Sequence, residues 1–222
     1  MSQMRGAATR DLLAVPTDGP ATEHLGPGAT LFRNFARAEA PALIAAIAAV
    51  AREAPFRNMT TPSGYRMSVA MTNCGTGWVT DRGGYRYAAE DPATGRNWPP
   101  LPSPFVALAT RAAAAGGFPG FVPTGCLINR YEPGTKLSLH QDKDEPDRAA
   151  PIVSISLGVP AIFLWGGLRR ADRPRRLRLE SGDVVVWGGS SRLVFHGIDT
   201  LAREDHPLTG SHRFNLTFRK TN

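Results

Sequence analysis

Hydrophobic residues recur at the three- to four-residue spacing of a helix in two segments of the chain, 38–55 and 103–117. The first segment is rich in alanine and ends at Pro55, and its larger apolar positions are Leu43, Ile44, Ile47 and Val50. The second segment starts beside Pro104 and ends in glycines, a residue usage typical of helix ends. Both segments are therefore predicted to be helices.

From residue 124 onward the pattern changes to short apolar runs separated by Gly, Pro and Asp turns. The runs are CLINRYEPG, KLSLHQD, PIVSISLG, AIFLWGG, RLRLESGDVVVWGG, RLVFHGI and RFNLTFRK. So many short strands in about 100 residues favour a β-sandwich or a jelly-roll barrel. Within them, LESGDVVV is predicted to be a hairpin corner.

The rest of the chain is less regular. In segment 56–98, GYRMSVAMTN has strand character, whereas GTGWVTDRGGYRY and DPATGRNWPP are predicted to be aromatic-rich loops. Residues 1–28 are turn-rich and aperiodic and are predicted to be a mobile N-terminal arm, and TLFRNF (30–35) is a candidate first strand. The expected organisation is this arm followed by a single domain over residues 29–222.

The composition indicates a folded protein with a surplus of positive charge. A chain of 222 residues with 42% hydrophobic residues suits one globular domain. Cys74 and Cys126 form no C-x-x-C motif, and no signal peptide is visible, so reduced thiols in the cytoplasm are expected. The net charge of +7 suits a polyanionic partner such as nucleic acid, although an arginine-rich proteome would give the same charge.

A candidate metal site begins in KLSLHQD. Side chains alternate between the two faces of a strand, so His140 and Asp142 lie on one face and Leu137 and Leu139 on the other. With a second histidine, this pair would form the two-His, one-carboxylate set that binds Fe(II) and leaves positions for oxygen and an organic co-substrate. The H-x-D pattern is common by chance, and HQDKDEP alone is more typical of a charged surface loop.

His196, which follows the apolar run RLVF and precedes a glycine, is predicted to be the second histidine ligand. His24 lies in the arm, and His206 and His212 flank a loop. Any one of these histidines alone is more often a hydrogen-bonded structural residue. The assignment therefore depends on partners elsewhere in the chain.

The last strand, RFNLTFRK, separates apolar side chains from polar ones. Alternation places its phenylalanines and its leucine on one face, and the other face carries Arg213, Asn215, Thr217 and Arg219. One interpretation is a half-exposed strand with its polar face in water. The other is a barrel interior in which a bound dicarboxylate makes buried guanidinium groups tolerable. In INRYEPG, Asn129 and Tyr131 share a face and could bind the same anion.

The order H-x-D, distal His and R-x-N-x-x-x-R resembles that of the Fe(II)/2-oxoglutarate dioxygenases, and more narrowly that of the bacterial AlkB alkylation-repair enzymes. The motifs that carry the resemblance span roughly residues 30–220: MSVAMTNCG, CLINRYEPG, KLSLHQDKDEP, APIVSISLG, SGDVVVWGG and RFNLTFR. The resemblance implies a mainly β protein with flanking helices (α+β). Its jelly-roll (double-stranded β-helix) catalytic core would cover about 124–222, and a nucleotide-recognition lid about 56–98.

The resemblance also implies roles for individual residues. The metal ligands, which are also the catalytic residues, would be His140, Asp142 and His196. The residues that hold 2-oxoglutarate would be Asn129, Tyr131, Arg213, Asn215 and Arg219. The substrate contacts would be Thr61, Tyr65, Met71, Trp78, Tyr85, Lys143, Asp144 and Arg170.

Some of these roles are more specific. By the resemblance, Arg213 would pair with the distal carboxylate of 2-oxoglutarate, and Arg219 and Asn129 would lie near the carboxylate that is lost as carbon dioxide. Trp78 would stack on a base flipped out of its strand, and Asp144 would contact the exocyclic amino group of that base.

The implied activity is oxidative demethylation of N-alkylated bases in DNA and/or RNA, with Fe(II) as cofactor and 2-oxoglutarate and O2 as co-substrates. Hydrolysis cannot remove a methyl group from a ring nitrogen, whereas a hydroxymethyl group collapses to formaldehyde and the free base. Succinate and carbon dioxide are the other products. The expected partner is alkylated single- or double-stranded DNA, or RNA, bound by a cytoplasmic monomer.

Two other functions fit parts of the pattern. The same iron chemistry could act on a protein or a small molecule, and a cupin-like barrel could bind nucleic acid without catalysis. The segment RRADRPRRLR (169–178) is equally open to interpretation, as a solvated loop or as a phosphate-binding patch beside the groove.

Overall fold

The computed structural model describes residues 21–222, in which two antiparallel β-sheets form the core and two helices pack on the larger sheet. The helices are α1 (Ala40–Glu53) and α2 (Ser103–Ala115). The strands before α2 are β1 (Thr22–Gly26), β2 (Ala29–Phe32), β3 (Arg57–Thr60), β4 (Arg66–Gly75), β5 (Gly77–Asp81), β6 (Gly84–Ala88), β7 (Glu90–Asp91) and β8 (Arg96–Asn97). The strands after α2 are β9 (Gly125–Tyr131), β10 (Leu137–His140), β11 (Ile152–Gly158), β12 (Ala161–Trp165), β13 (Arg175–Leu179), β14 (Val184–Trp187), β15 (His196–Ile198) and β16 (Arg213–Arg219).

The larger sheet has the strand order β1-β2-β14-β11-β16-β9-β4-β3, and the smaller sheet has the order β10-β15-β12-β13. The strands of the second half of the chain are thus divided between two sheets that share an apolar core. This arrangement is a jelly roll, so the predicted mainly β fold is confirmed.

Strand alternation divides the apolar residues into two layers. On the central strand β11, Val153 and Ile155 pack with Leu43 of α1 and Phe105 of α2 on the outer face of the large sheet. Ile152, one position away, packs in the layer between the two sheets. Each face of the large sheet is therefore buried, which explains why β11 is buried along its whole length.

Both predicted helices are present. In α1, Leu43, Ile47 and Val50 are buried as their spacing predicts, and the helix ends just before Pro55. The helix α2 is followed by its C-cap, Gly116, where a Cβ atom would lie 2.8 Å from Cγ1 of Val186. Glycine at this position lets the helix end pack closely against β14.

Three predictions about individual segments need correction. The predicted mobile arm over residues 1–28 is too long, because Thr22–Gly26 forms the outer strand of the large sheet. Residues 1–20 lie outside the described residues. The loops predicted in GTGWVTDRGGYRY and DPATGRNWPP are the antiparallel hairpins β5–β6 and β7–β8. Glycine and aromatic composition concealed these strands, whose order comes from cross-strand pairing.

LESGDVVV runs from the last residue of β13 into β14, and it is not a hairpin because these two strands belong to different sheets. The chain crosses between the sheets at Gly182, which has φ +97° and where a Cβ atom would lie 2.8 Å from Cα of Arg37. A glycine is required here by both the backbone conformation and the close approach.

The lid strands β3 and β4 extend the large sheet beyond β9 and so are continuous with the core. Among the described residues, the two helices are too short or too polar to cross a membrane.

Candidate metal centre and active-site pocket

The candidate metal ligands come together where β10 pairs with β15. His140 and His196 are direct cross-strand partners in this pairing, and Asp142 follows two residues after the end of β10. Nε2 of His140 lies 3.7 Å from Oδ1 of Asp142, and Nε2 of His196 lies 3.8 Å from Oδ2. One ligand atom from each residue lies within 4.8 Å of the others, so a single ion can contact all three.

Backbone carbonyls fix both imidazole rings. Nδ1 of His140 lies 2.9 Å from the carbonyl oxygen of Ser138, and Nδ1 of His196 lies 3.0 Å from that of Val194. Because a carbonyl only accepts hydrogen bonds, Nδ1 of each ring carries the proton and donates it. Nε2 of each ring is therefore left with a free lone pair directed at the candidate metal centre, as a metal ligand requires.

The charge states of the buried ligands also suit a metal. Burial, and after it the neighbouring His140, lowers the pKa of His196 to about 4, so the ring is neutral at pH 7. Burial raises the pKa of Asp142, but Arg219 and the two neighbouring histidines together outweigh that effect and hold the pKa well below its usual range. His196 is thus a neutral imidazole and Asp142 a carboxylate, the forms in which each binds a metal.

A buried network of charges surrounds Asp142. Arg219 donates to Oδ2 of Asp142 from Nη2 at 2.7 Å, and its Nε lies 3.1 Å from Oε1 of Glu145. Arg192 donates to Oε2 of Glu145 at 2.8 Å and to the backbone carbonyl of Asp142 at 2.6 Å. The hydroxyl of Tyr87 donates to Oε1 of Glu145. Two arginines and two carboxylates therefore balance one another in the interior.

Sequence reasoning assigned no binding or catalytic role to Arg192, Glu145 or Tyr87. Glu145 stands in the charged run HQDKDEP yet is only 4% exposed, and Arg192 is equally buried. No periodicity marks these residues, because Arg192 ends a 3-10 turn, Glu145 lies in a loop and Tyr87 lies in the lid hairpin. A charged residue predicted on a loop gives no signal that it will be buried.

The polar face of β16 forms the floor of the pocket together with β9. Arg213 is the cross-strand partner of Tyr131, and Asn215 is the partner of Asn129. The guanidinium of Arg213 lies over the Tyr131 ring at 4.8 Å, and Asn129 donates to Asn215 at 3.3 Å. The interpretation of β16 as a half-exposed strand is therefore wrong, because its polar face is buried.

This floor has unused hydrogen-bonding capacity. Nη2 of Arg213 donates to Ser156 at 3.0 Å, but its Nε and Nη1 have no hydrogen-bond partner among the described residues, and neither has Oδ1 of Asn129. Burial lowers the pKa of Arg213, which reflects the cost of a guanidinium with no anion beside it. A carboxylate beside Arg213 would satisfy those donors, so the residues present fit a dicarboxylate such as 2-oxoglutarate.

Arg219, in contrast, is already engaged. Its Nε and Nη2 serve Asp142 and Glu145, and these carboxylates raise its pKa against the opposing effect of burial. Asn215 likewise uses its amide within the protein, donating to Ser154 at 2.8 Å. Of the polar residues on β16, Arg213 is the one with fully buried donor atoms that lack a partner among the described residues.

The lid closes the other side of the pocket. Trp78 on β5 stacks on Tyr85 of β6 with ring centroids 5.8 Å apart, and its Nε1 donates to Oδ2 of Asp144 at 2.9 Å. Tyr65 and Tyr85 remain largely exposed at the rim. An aromatic surface is thus held beside the candidate metal centre.

All the candidate residues line one cavity of about 610 Å³. The proposed metal and 2-oxoglutarate residues line it, and so do the proposed substrate contacts Thr61, Tyr65, Met71, Trp78, Tyr85, Lys143, Asp144 and Arg170. The structure thus brings together side chains that lie up to about 160 residues apart in sequence.

Most arginines of the segment 169–178 are paired rather than free. Arg169 pairs with Asp172, Arg175 with Glu23 and Arg176 with Asp199. Arg170 lines the pocket, donating to the carbonyl of Leu139 at 2.8 Å. The solvated interpretation of this segment therefore suits most of its side chains, and Arg170 is the member placed at the pocket.

Comparison with known proteins agrees with this geometry. The family model described as the 2OG-Fe(II) oxygenase superfamily matches residues 28–219. The alpha-ketoglutarate-dependent dioxygenase AlkB of Salmonella typhimurium is 58% identical over 204 residues, which cover 91% of this chain and 94% of that protein. AlkB of Escherichia coli is 59% identical over 202 residues, covering 90% and 94%. The solved structure of OsALKBH1 matches with a TM-score of 0.81 at 31% identity, over 90% of this chain and all of that chain.

Proposed function

The chain belongs to the 2OG-Fe(II) oxygenase superfamily and, within it, to the AlkB family, and from this membership we propose how its residues act on alkylated nucleic acid. It is an Fe(II)- and 2-oxoglutarate-dependent dioxygenase that oxidatively demethylates N-alkylated nucleobases. The assignment of roles depends on one cavity, which is lined by the histidine–carboxylate set, by the aromatic lid and by Arg213, whose Nε and Nη1 lack partners among the described residues.

We assign the iron to His140, Asp142 and His196, whose free Nε2 atoms and carboxylate converge on one point. We assign the co-substrate 2-oxoglutarate to Asn129, Tyr131, Arg213, Asn215 and Arg219. In this assignment Arg213 supplies free guanidinium donors to the distal carboxylate. Arg219 acts by holding Asp142.

The remaining residues position the base. Fe(II), bound with 2-oxoglutarate and O2, supplies the oxidant for a methyl C–H bond. Trp78 offers its ring face to a base taken out of its strand, and the carboxylate of Asp144 lies at the edge of that ring, where it can accept a hydrogen bond from an exocyclic amino group. We assign Lys143 and Arg170, whose side chains line the cavity, to contacts with the phosphate backbone.

We further propose that the polymer is DNA, with RNA as an alternative substrate, and that the chain acts as a monomer. Every residue assigned above comes from one chain, so a single copy provides a whole site. The buried cysteines Cys74 and Cys126 are free thiols, which suits the cytoplasm.

A panel of singly modified oligonucleotides tests this function. We expect formaldehyde and the unmodified base to appear only with Fe(II), 2-oxoglutarate and O2, and to be absent for His140→Ala. Matched DNA and RNA strands, single and double, identify the preferred polymer. Turnover of 2-oxoglutarate without loss of a methyl group from any oligonucleotide would refute the proposal.

The same assay, run also with methylated peptides and free nucleosides, separates the two other functions. A hydroxylase of proteins or small molecules would release product from peptides or free nucleosides but not from oligonucleotides. A non-catalytic binding module would bind oligonucleotides in a salt-sensitive way with no dependence on metal.

A further inference from the structure

The lid hairpin is connected to the iron ligand Asp142 by a chain of buried polar contacts. Tyr87 of β6 donates to Glu145, the same Oε1 atom lies 3.1 Å from Nε of Arg219, and Arg219 donates to Asp142 at 2.7 Å. The side chains of Glu145, Arg219 and Asp142 are at most 8% exposed. The contacts among these three side chains are therefore shielded from water, which strengthens polar interactions, and the half-buried Tyr87 joins them from the lid.

Tyr87 also lies opposite the candidate base-stacking residue. In the β5–β6 hairpin, Trp78 is the direct cross-strand partner of Tyr87, and Trp78 itself donates to Asp144. A base that stacks on Trp78 would therefore contact the same β5–β6 hairpin that the Tyr87 hydroxyl binds to Glu145. The contacts of Tyr87, Glu145 and Arg219 thus connect the hairpin to Asp142.

Glu145 does not depend on Tyr87 for its charge balance. Arg192 donates to Oε2 of Glu145 at 2.8 Å, and Arg219 contacts Oε1. Loss of the Tyr87 hydroxyl would leave Glu145 paired with both arginines. The contact of Tyr87 is thus dispensable for neutralising the cluster, yet it is the contact in this cluster that reaches the lid.

We propose that Tyr87 is a positioning residue that couples the lid to the metal centre through Glu145 and Arg219. The inference rests on the proposed function, because it takes Asp142 as a metal ligand and Trp78 as the stacking residue. Binding a metal at Asp142 steadies the hairpin, and by reciprocity a base held by the hairpin steadies the arrangement of Asp142. Tyr87 touches neither substrate nor metal in this scheme.

Hydrogen exchange of the protein with and without Mn(II), a redox-inert probe for the iron site, tests the coupling. In the wild-type protein, Mn(II) should slow amide exchange in β5 and β6 by about fivefold or more, the lower range of coupling between sites. In Tyr87→Phe, Mn(II) should bind as before, but the exchange rates of the hairpin should no longer respond to it.

Asp81→Asn is the matched control. Asp81 pairs with Arg86 in the same hairpin, on the exposed surface, and lies outside the pocket. This variant loosens the hairpin without touching the buried network, so it should keep its response to Mn(II). A general loss of hairpin stability would abolish the response in both variants and would overturn the proposal.

A second measurement uses the ratio of succinate to formaldehyde formed with a methylated oligonucleotide. Uncoupling should raise this ratio in Tyr87→Phe, with the thermal unfolding temperature close to that of the wild type. Glu145→Gln, which cuts the network at its centre, should raise it at least as much. The inference would be overturned if Tyr87→Phe kept the wild-type response of hairpin exchange to Mn(II) and the wild-type ratio of succinate to formaldehyde. A wild-type protein whose hairpin is protected by Mn(II) but which releases no formaldehyde would instead refute the proposed function.

Discussion

Arg219 donates two hydrogen bonds to the same oxygen of Asp142, from Nη2 at 2.7 Å and from Nε at 3.2 Å to Oδ2. This geometry anchors Oδ2 and leaves Oδ1 beside His140, 3.7 Å from its Nε2. A metal ligand held in place by a buried partner loses little freedom when the ion binds. Arg219 is therefore as much a part of the metal centre as of the 2-oxoglutarate pocket.

Replacement of Arg219 by methionine should weaken Mn(II) binding by about 10- to 100-fold, the usual effect of removing a group that orients a metal ligand. The free energy of unfolding of the metal-free protein should fall by about 3–5 kcal/mol, because Asp142 and Glu145 lose a buried partner. Metal titration and urea unfolding measure the two effects. Arg176→Met, which breaks an exposed pair with Asp199, is the control and should cost less than about 1 kcal/mol.

Replacement of Arg213 by methionine should separate ligand binding from stability. Because Nε and Nη1 of Arg213 lack partners among the described residues, the variant without ligand should be at least as stable as the wild type. Its affinity for 2-oxoglutarate should fall by about 2–5 kcal/mol, the cost of removing one member of a buried charge pair. Calorimetry with Mn(II) present gives the affinity, and an affinity equal to that of the wild type would contradict the assigned role.

Gly197→Ala should disturb the metal centre without changing a ligand. A Cβ atom at Gly197 would lie 2.6 Å from the carbonyl oxygen of Leu137 on β10, so β10 and β15 would have to separate. We expect a loss of about 1–3 kcal/mol in the free energy of unfolding and weaker Mn(II) binding. Gly26→Ala, where the nearest atom is 3.4 Å away, is the control; metal affinity that is equal in both variants would contradict the prediction.

Trp78→Ala should weaken binding of a methylated oligonucleotide by about 5- to 150-fold, since stacking of one base is worth about 1–3 kcal/mol. Binding of 2-oxoglutarate should not change, because Trp78 lies on the lid side of the cavity. Fluorescence anisotropy of a labelled strand measures the loss, and Trp78→Phe should retain most of the affinity. Val122→Ala, at an exposed apolar residue outside the cavity, is the control.

The lid hairpin should keep its surface ion pair well into the acid range. Hydrogen bonds from Arg86 and from the backbone of Gly83 lower the pKa of Asp81 from 3.8 to about 2. Because the folded-state pKa lies below the unfolded value, the pair contributes stability above pH 3.8 and loses it as the pH falls through about 2. Carboxyl chemical shifts measured by NMR against pH give the midpoint, and Arg86→Gln should move it back towards 3.8.

The spacing of residues along single strands could be interpreted correctly from the sequence. Alternation in RFNLTFRK places the polar residues of β16 together, because successive side chains of a strand point to opposite faces. The H-x-D pair also lies together as predicted, but β10 ends at His140, so the loop that follows the strand, and not strand alternation, positions Asp142. The helices α1 and α2 were equally predictable, since their periodicity is also a local property of the backbone.

The tertiary structure decided which strands meet and which charges are buried. The pairing of β10 with β15 sets His196 opposite His140 across more than 50 residues of chain, and this register depends on the packing of two whole sheets. Arg192, Glu145 and Tyr87 come together from a 3-10 turn, a loop and a hairpin. Burial of charged loop residues follows from contacts made across the fold, and no local pattern in the sequence encodes those contacts.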